Sequence, residues 1–244
     1  MNQRGPGRED ADIETSSEEY ARRFSGSVGR WFLDLQARIT LDLLRDLPAG
    51  ASVLDVGGGH AQLTGPLLGA GFDVRVAASE PSCAARLTPW REHPHLRFEV
   101  VNLGALPYAA RAFDAVLCFR LLPHSVAWTT LVSELCRVAG QAVVVDYPSS
   151  RSVNIIADRL FGLKHRIERD TRPYAVFQPA AVRAAFAAHG FEVRQERPQF
   201  LLPMVLHRAV GRAALARALE LPGRLTGLRR ILGSPVIVRA DRLK

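Results

Sequence analysis

Val53-Leu54-Asp55-Val56-Gly57-Gly58-Gly59-His60-Ala61 is the stretch on which the fold turns. A short apolar strand ends in a carboxylate, runs into three glycines and gives way to a helical pattern. Glycines at such a junction let a ligand approach the main chain closely while backbone N–H groups point at it. The spacing is Asp-x-Gly-x-Gly-x-Ala. A dinucleotide fingerprint requires Gly-x-Gly-x-x-Gly, and Gln62 stands where its last glycine would be. A carboxylate at Asp55 repels a pyrophosphate and suits a ligand bearing a positive ammonium group.

Outward from this loop, strands and helices alternate. Strands are predicted over Ser52–Val56, Asp73–Ala78, Leu96–Val101, Phe113–Phe119 and Gln141–Tyr147, with helices following the glycine loop and over Ser82–Trp90 and Val126–Val138. Helices Ser152–Phe161 and Pro179–His189 and strands Phe191–Arg197 and Pro235–Ala240 complete the pattern. The order predicts an α/β, doubly wound, Rossmann-like sheet of seven strands, mostly parallel, with an antiparallel last strand and a helical cap inserted before it. The expected organisation is a disordered arm over 1–16, N-terminal helices over 17–50 with apolar positions Trp31, Leu35, Ile39, Leu43 and Leu47, and a ligand-binding core over 51–200. A basic helical cap over 201–233 and a final strand and tail over 234–244 follow.

Companion residues narrow the ligand. Glu80 falls at the tip of the second strand, placed to accept both hydroxyls of a ribose. The third strand ends at Asn102-Leu103, with Leu106-Pro107 close behind, whereas Asp114 opens the fourth strand and so lies at the opposite edge. A zwitterionic amino-acid end, a cationic sulfonium and a ribose belong together in S-adenosylmethionine.

At these residues the sequence resembles the class I S-adenosylmethionine-dependent methyltransferases, in the small-molecule branch that includes the ubiquinone and menaquinone enzymes (methyltransferase type 11). The resemblance runs over about Tyr20–Arg197 and is strongest over Val53–Tyr147. It implies that the glycine loop (Gly57, Gly58, Gly59) with Asp55 holds the methionine moiety, Glu80 the ribose, and Asn102 and Leu103 the adenine. Two positions depart from the family pattern: Asn102 stands for the usual Asp and Ala61 for a third glycine. Asn102 can still offer a carbonyl oxygen to the adenine amino group.

Net charge is +8, with 32 Lys+Arg against 24 Asp+Glu. Residues 1–200 hold 23 basic and 22 acidic side chains, and residues 201–244 hold 9 and 2, so the basicity belongs to the end of the chain. Three separated cysteines, Cys83, Cys118 and Cys136, suggest neither a disulfide framework nor a metal site, and no metal is assigned. With no secretory segment and no apolar run of spanning length, the expectation is a cytoplasmic protein. A short-chain dehydrogenase is excluded because Phe24, Ala112, Arg151 and Gln178 stand four positions after the tyrosines Tyr20, Tyr108, Tyr147 and Tyr174. A P-loop is absent, and Phe119-Arg120-Leu121-Leu122 replaces the motif of adenine N6 methylation. Two alternatives stay open: an RNA methyltransferase, although no nucleic-acid partner is expected without an RNA-binding module, and a catalytically silent cofactor-binding scaffold.

His124, after the fourth strand, titrates near neutrality at the edge where ligands bind. It is the candidate catalytic base or substrate-orienting group, with capping of the next helix as its structural alternative. Arg120 on the same loop is assigned to the cofactor carboxylate or the substrate, and Asp146 and Tyr147 end the fifth strand beside it. In the cap, Leu202, Val205, Leu206, Ala209, Val210 and Ala213 recur at helical spacing, with Arg208 and Arg212 on another face. Either this stripe packs onto the domain, or the basic segment meets a membrane surface or lines a pocket for a lipid-like tail. The acceptor is expected to be a small hydrophobic or amphiphilic molecule.

Overall fold

A computed structural model describes residues 10–153 and 174–243. Seven strands form one sheet in the order β3-β2-β1-β4-β5-β7-β6. They are β1 (Ser52–Val56), β2 (Asp73–Ala78), β3 (Leu96–Val100), β4 (Phe113–Cys118), β5 (Ala139–Tyr147), β6 (Phe191–Phe200) and β7 (Ser234–Arg242). The first five are parallel, and β7 runs antiparallel to both β5 and β6. This is the expected doubly wound topology, and its reversal between β1 and β4 opens a crevice at the carboxyl ends of those strands.

Helices α1 (Ala11–Thr15), α2 (Glu18–Arg22) and α3 (Gly26–Leu43) precede the sheet, and α4 (Thr64–Gly69) and α5 (Trp128–Val138) link its strands. Helix α6 (Pro179–Ala187) leads into β6, while α7 (Met204–Val210), α8 (Ala213–Leu225) and α9 (Leu228–Leu232) form the cap. The segments Gly58–His60, Pro81–Trp90 and Leu122–His124 are 3-10 helices. Pro89 within the second of them removes a donor that a regular α-helix would use.

Alternate strand residues supply two cores. Leu54, Val116 and Val143 pack with α5 and α6 on one face, and Val53, Ala115 and Val144 with α4 and the end of α3 on the other. A third cluster joins the cap to α3 through Trp31, Phe32, Phe200 and Ala216. The buried stripe of α3 is Val28, Phe32, Gln36, Thr40 and Leu43, whereas Leu35 and Ile39 are only half-buried. The helix is thus rotated from the face that apolar spacing suggests, and two polar side chains point inward.

The disordered arm expected over 1–16 is corrected for residues 10–16. Ala11, Asp12 and Thr15 of α1 are buried, because Asp12 finds hydrogen-bond donors at the sheet edge that composition does not reveal. Residues 1–9 lie outside the described residues, as does all but the start of the helix expected over Ser152–Phe161.

Candidate functional site

At the end of β1 the chain turns through Gly57, whose φ of +74° suits glycine, and its N–H donates to the Ala77 carbonyl at 2.8 Å. A Cβ at Gly58 would run into the Asp55 carboxylate, and one at Gly59 would lie 2.6 Å from the Cys83 carbonyl oxygen. Neither position has room for a side chain. Ala61 adopts φ +62°, the left-handed region, at the position of the usual third glycine. Asp55 is buried, which raises its pKa to about 7, with the Arg120 guanidinium opposing the shift.

The crevice above this loop is filled by α1. Asp12 accepts hydrogen bonds from the Ser79 N–H (2.7 Å) and the Ser79 hydroxyl (2.5 Å), just beyond β2. Its own Cβ lies 3.4 Å from where a Gly57 Cβ would be, and Ala11 joins the cluster containing Leu103 and Leu121. Burial raises the Asp12 pKa above the ordinary carboxylate value, with both Ser79 bonds opposing. Glu80, next to Ser79, is half-buried at the strand tip, and Leu103 is fully buried. Asn102 is exposed, and its side-chain oxygen accepts the Gly104 N–H at 3.0 Å, so it closes a local turn. Asp55, the glycines, Glu80 and Leu103 fit a zwitterionic nucleoside in chemistry. In space α1 lies against them, through the Asp12 bonds to Ser79 and its approach to Gly57.

A second concavity of about 110 Å³ opens one strand over, at the ends of β4 and β5. Arg120, with φ +61°, is buried there. Its N–H donates to Asp146 Oδ1 (2.6 Å) and its Nη2 to Gln36 Oε1 (2.8 Å), while Gln36 Nε2 lies 3.5 Å from Asp146 Oδ2. The guanidinium stacks 4.0 Å from the centre of the Phe24 ring. Its remaining terminal nitrogen, Nη1, is buried and has no hydrogen-bond partner among the described residues. Burial raises the Asp146 pKa to about 6, with the Arg120 N–H and charge holding it back. Phe24, Phe32, Pro123, Pro148 and Met204 give this cavity apolar walls.

His124 ends the 3-10 helix after β4 and lines the cavity, its ring 5.6 Å from that of Tyr174. Helix α5 begins only at Trp128, with Ala127 at its N-cap, so His124 does not cap it. Tyr147 turns into the core against Phe177. His60 sits edge-on between Tyr20 and Phe24, and burial pushes its pKa down to about 3, so it is neutral. Arg120 and His124 therefore come together with Asp146, while Asp55, Gly57, Glu80 and Leu103 gather around α1. The spacing of residues did not reveal Tyr20, Phe24 or Gln36 as part of the cavity. A glutamine on an otherwise apolar helical stripe was the available signal. Among the described residues no group of His, Cys, Asp or Glu is arranged to hold a metal ion.

Known proteins complete the picture. The seven-stranded fold is shared with magnesium protoporphyrin IX methyltransferase from Synechocystis PCC 6803 with bound SAH, at 16% identity and TM-score 0.67 over 95% of this chain and 98% of that one. Geranyl diphosphate C-methyltransferase from Streptomyces coelicolor A3(2), in complex with Mg2+, geranyl diphosphate and S-adenosyl-L-homocysteine, matches at 18% identity and TM-score 0.59 over 86% and 80%. The [4+2]-cyclase SpnF has the same fold at 18% identity and TM-score 0.57 over 85% and 80%. No curated protein matches in sequence. Residues 30–196 match a family described as a methyltransferase domain, and with that stretch covering more than half of the chain, the glycine loop and Arg120 included, the chain belongs to the methyltransferase-domain family on the class I fold.

Proposed function

We propose that this protein transfers the methyl group of S-adenosylmethionine to a small acceptor that carries an anionic oxygen on an apolar body. The observation behind this reading is the buried Nη1 of Arg120, a cationic donor with no hydrogen-bond partner among the described residues, set in a cavity whose walls include Phe24, Phe32, Pro123, Pro148 and Met204. An unsatisfied buried donor is costly, and a carboxylate, phenolate or phosphate oxygen would satisfy it.

When bound, S-adenosylmethionine supplies an electrophilic methyl group on a good leaving group. Asp55 holds the ammonium end, Glu80 accepts the ribose hydroxyls, and Leu103 packs on the base. Asn102 would have to give up its turn to reach an adenine. Arg120 fixes the acceptor through its oxygen. Gln36 holds the guanidinium in place, Asp146 anchors the Arg120 backbone N–H, and the Phe24 ring covers the guanidinium. His124 takes a proton from acceptors that must lose one. Alignment of two bound reactants is worth on the order of 7–11 kcal/mol, so positioning supplies most of the rate. Withdrawal of α1 precedes cofactor binding.

Magnesium protoporphyrin IX and geranyl diphosphate are the molecules in the neighbours' names. Both join an apolar body to polar oxygens, in keeping with the acceptor class drawn from Arg120. Calorimetry with S-adenosylmethionine, on the wild type and on Gly57 and Glu80 variants, tests the cofactor half. Mass spectrometry of extracts for a product heavier by one methylene tests the transfer.

One observation favours a second reading. Helix α1 occupies the crevice through polar bonds, as it would in a protein that binds cofactor without turnover, and the fold by itself does not dictate methylation, since the cyclase shares it. That reading gives cofactor binding with no methylated product in any extract.

A further inference from the structure

The cap turns apolar residues toward solvent. The stripe anticipated over Leu202–Ala213 does not pack inward as a unit: Val205 and Leu206 are exposed, and the buried residue of α7 is His207. In α8 the inward positions are Ala216, Glu220 and Gly223, one stripe of a 3.6-residue helix. Glu220 is buried there and accepts hydrogen bonds from the Leu201 and Leu202 N–H groups, at 2.9 Å each, with His207 Nε2 also at 2.9 Å. Around the rest of α8, Leu215 and Leu219 are exposed on one flank of that stripe, Leu221 on the other, and Leu225, 85% exposed, opposite it, while α9 adds Leu228 and Ile231. Eight of the thirteen exposed large hydrophobic residues among those described fall between Val205 and Ile231. A helix that exposes this many leucines beyond its inward stripe is ordinarily covered there as well.

Charge indicates what covers it. Arg208, Arg212, Arg217, Arg224 and Arg230 are exposed on the same three helices or the turn between them. The sole acid in 201–233 is Glu220, which is enclosed by the cap itself. The outer surface thus combines leucines and arginines with no carboxylate. A second copy of this chain, docked face to face, would oppose arginine with arginine. A nucleic acid would leave the leucines uncovered. An anionic bilayer interface answers both features, since arginines reach phosphate oxygens while leucines enter the acyl boundary.

We infer that α7, α8 and α9 form a docking face for anionic phospholipid membranes. The face adjoins the acceptor cavity, because Met204 lines that cavity and the next residues of α7, Val205 and Leu206, belong to the face. Docking stands or falls independently of methyl transfer.

Flotation of the full-length protein tests it, using vesicles of phosphatidylcholine and phosphatidylglycerol at about 7:3 and vesicles of phosphatidylcholine alone. The protein floats with the mixed vesicles at least about tenfold more tightly than with the neutral ones, and salt weakens the association. The double substitution Leu219→Glu and Leu225→Glu, at exposed positions, leaves the melting temperature unchanged and reduces flotation at least about tenfold. Val126→Glu, at an exposed position before α5 and outside the three cap helices, leaves flotation as it was. No flotation of the wild type, equal flotation on both vesicles, or flotation insensitive to the leucine pair each overturns the proposal. So does a self-association in sedimentation velocity that the leucine pair abolishes while vesicles bind nothing.

Discussion

The glycine-loop crevice and the Arg120 cavity open on the same edge of one sheet, at neighbouring strand ends, yet they are finished differently. In the crevice a helix of the chain itself occupies the ligand's space, and its carboxylate satisfies Ser79. In the cavity the chain assembles Gln36, Asp146 and Phe24 around a guanidinium and leaves one of its nitrogens unmatched. The first site is closed by internal bonds and opens by a movement. The second is held open and lacks only an oxygen. Under the proposed function the cofactor competes with α1 and the acceptor does not.

The largest effect expected is at the glycine loop. Gly59→Val places branched carbons against the Cys83 carbonyl oxygen, a backbone atom that cannot step aside. Cofactor affinity in calorimetry falls by more than about 100-fold and Tm falls with it, because the loop itself must shift. Retained affinity would mean that the ligand does not rest on this loop.

Arg120→Leu separates the two regions. Loss of a charge-assisted hydrogen bond costs about 1.5–3 kcal/mol, so the KM for an acidic acceptor rises about 10- to 150-fold while cofactor affinity changes less than about threefold. If the cofactor weakens equally, Arg120 grips the cofactor carboxylate and the division between crevice and cavity fails. Sequence reading left that choice open. The Gln36 bond to Nη2 holds the guanidinium at the cavity, and this supports the acceptor reading.

Asp12→Ala acts in the opposite sense. It removes the bonds that hold α1 in the crevice and so raises the fraction of molecules competent to bind. Calorimetry should show S-adenosylmethionine bound about tenfold more tightly than by the wild type. An unchanged or weaker affinity would show that Asp12 contributes to the bound state.

Most of the fold was legible. Strand alternation and the glycine loop located β1 and β2 to the residue, since buried parallel strands read as continuous apolar runs between turn signals. What escaped was long-range. Ala11–Thr15 has the polar composition of an arm, and the donors that order it, Ser79 and Cys83, lie far along the chain. The inward face of α3 was misread for a similar reason. Gln36 is buried because Arg120 and Asp146 await it, a partnership between three elements that no local pattern encodes. The cap was legible in charge, whereas its outward leucines were not, since apolar residues spread around a helix do not show by spacing alone which of them face inward.

Titration distinguishes the regions again, by about tenfold per pH unit. Asp55, raised to about 7, must be ionised to hold an ammonium group, so cofactor affinity increases as pH rises toward 7 and levels off above it. Asp55→Asn removes that rise. Stability runs the other way: between about 3.8 and 7 the folded state holds the Asp55 proton that the unfolded chain releases, so this stabilising contribution is present below the window and lost as pH rises through it. Asp146, raised to about 6, acts likewise. His60, lowered to about 3, opposes both, because its neutral burial favours the fold above the usual histidine pKa. Denaturant midpoints for the wild type and Asp55→Asn from pH 5 to 8 should therefore diverge, with the variant gaining relative stability as pH rises.

The smallest effect concerns the one residue of the loop that departs from glycine. Ala61 holds a left-handed conformation, which disfavours a Cβ by roughly 1–2 kcal/mol. Glycine there removes that strain and adds unfolded-chain entropy, so Ala61→Gly stabilises by about 1 kcal/mol at most and raises Tm by about 2–4 °C. Cofactor affinity should stay within about twofold, because the backbone conformation is already the one glycine would adopt. A large gain in affinity would show that the Ala61 methyl obstructs the crevice, placing part of its closure in the loop as well as in α1.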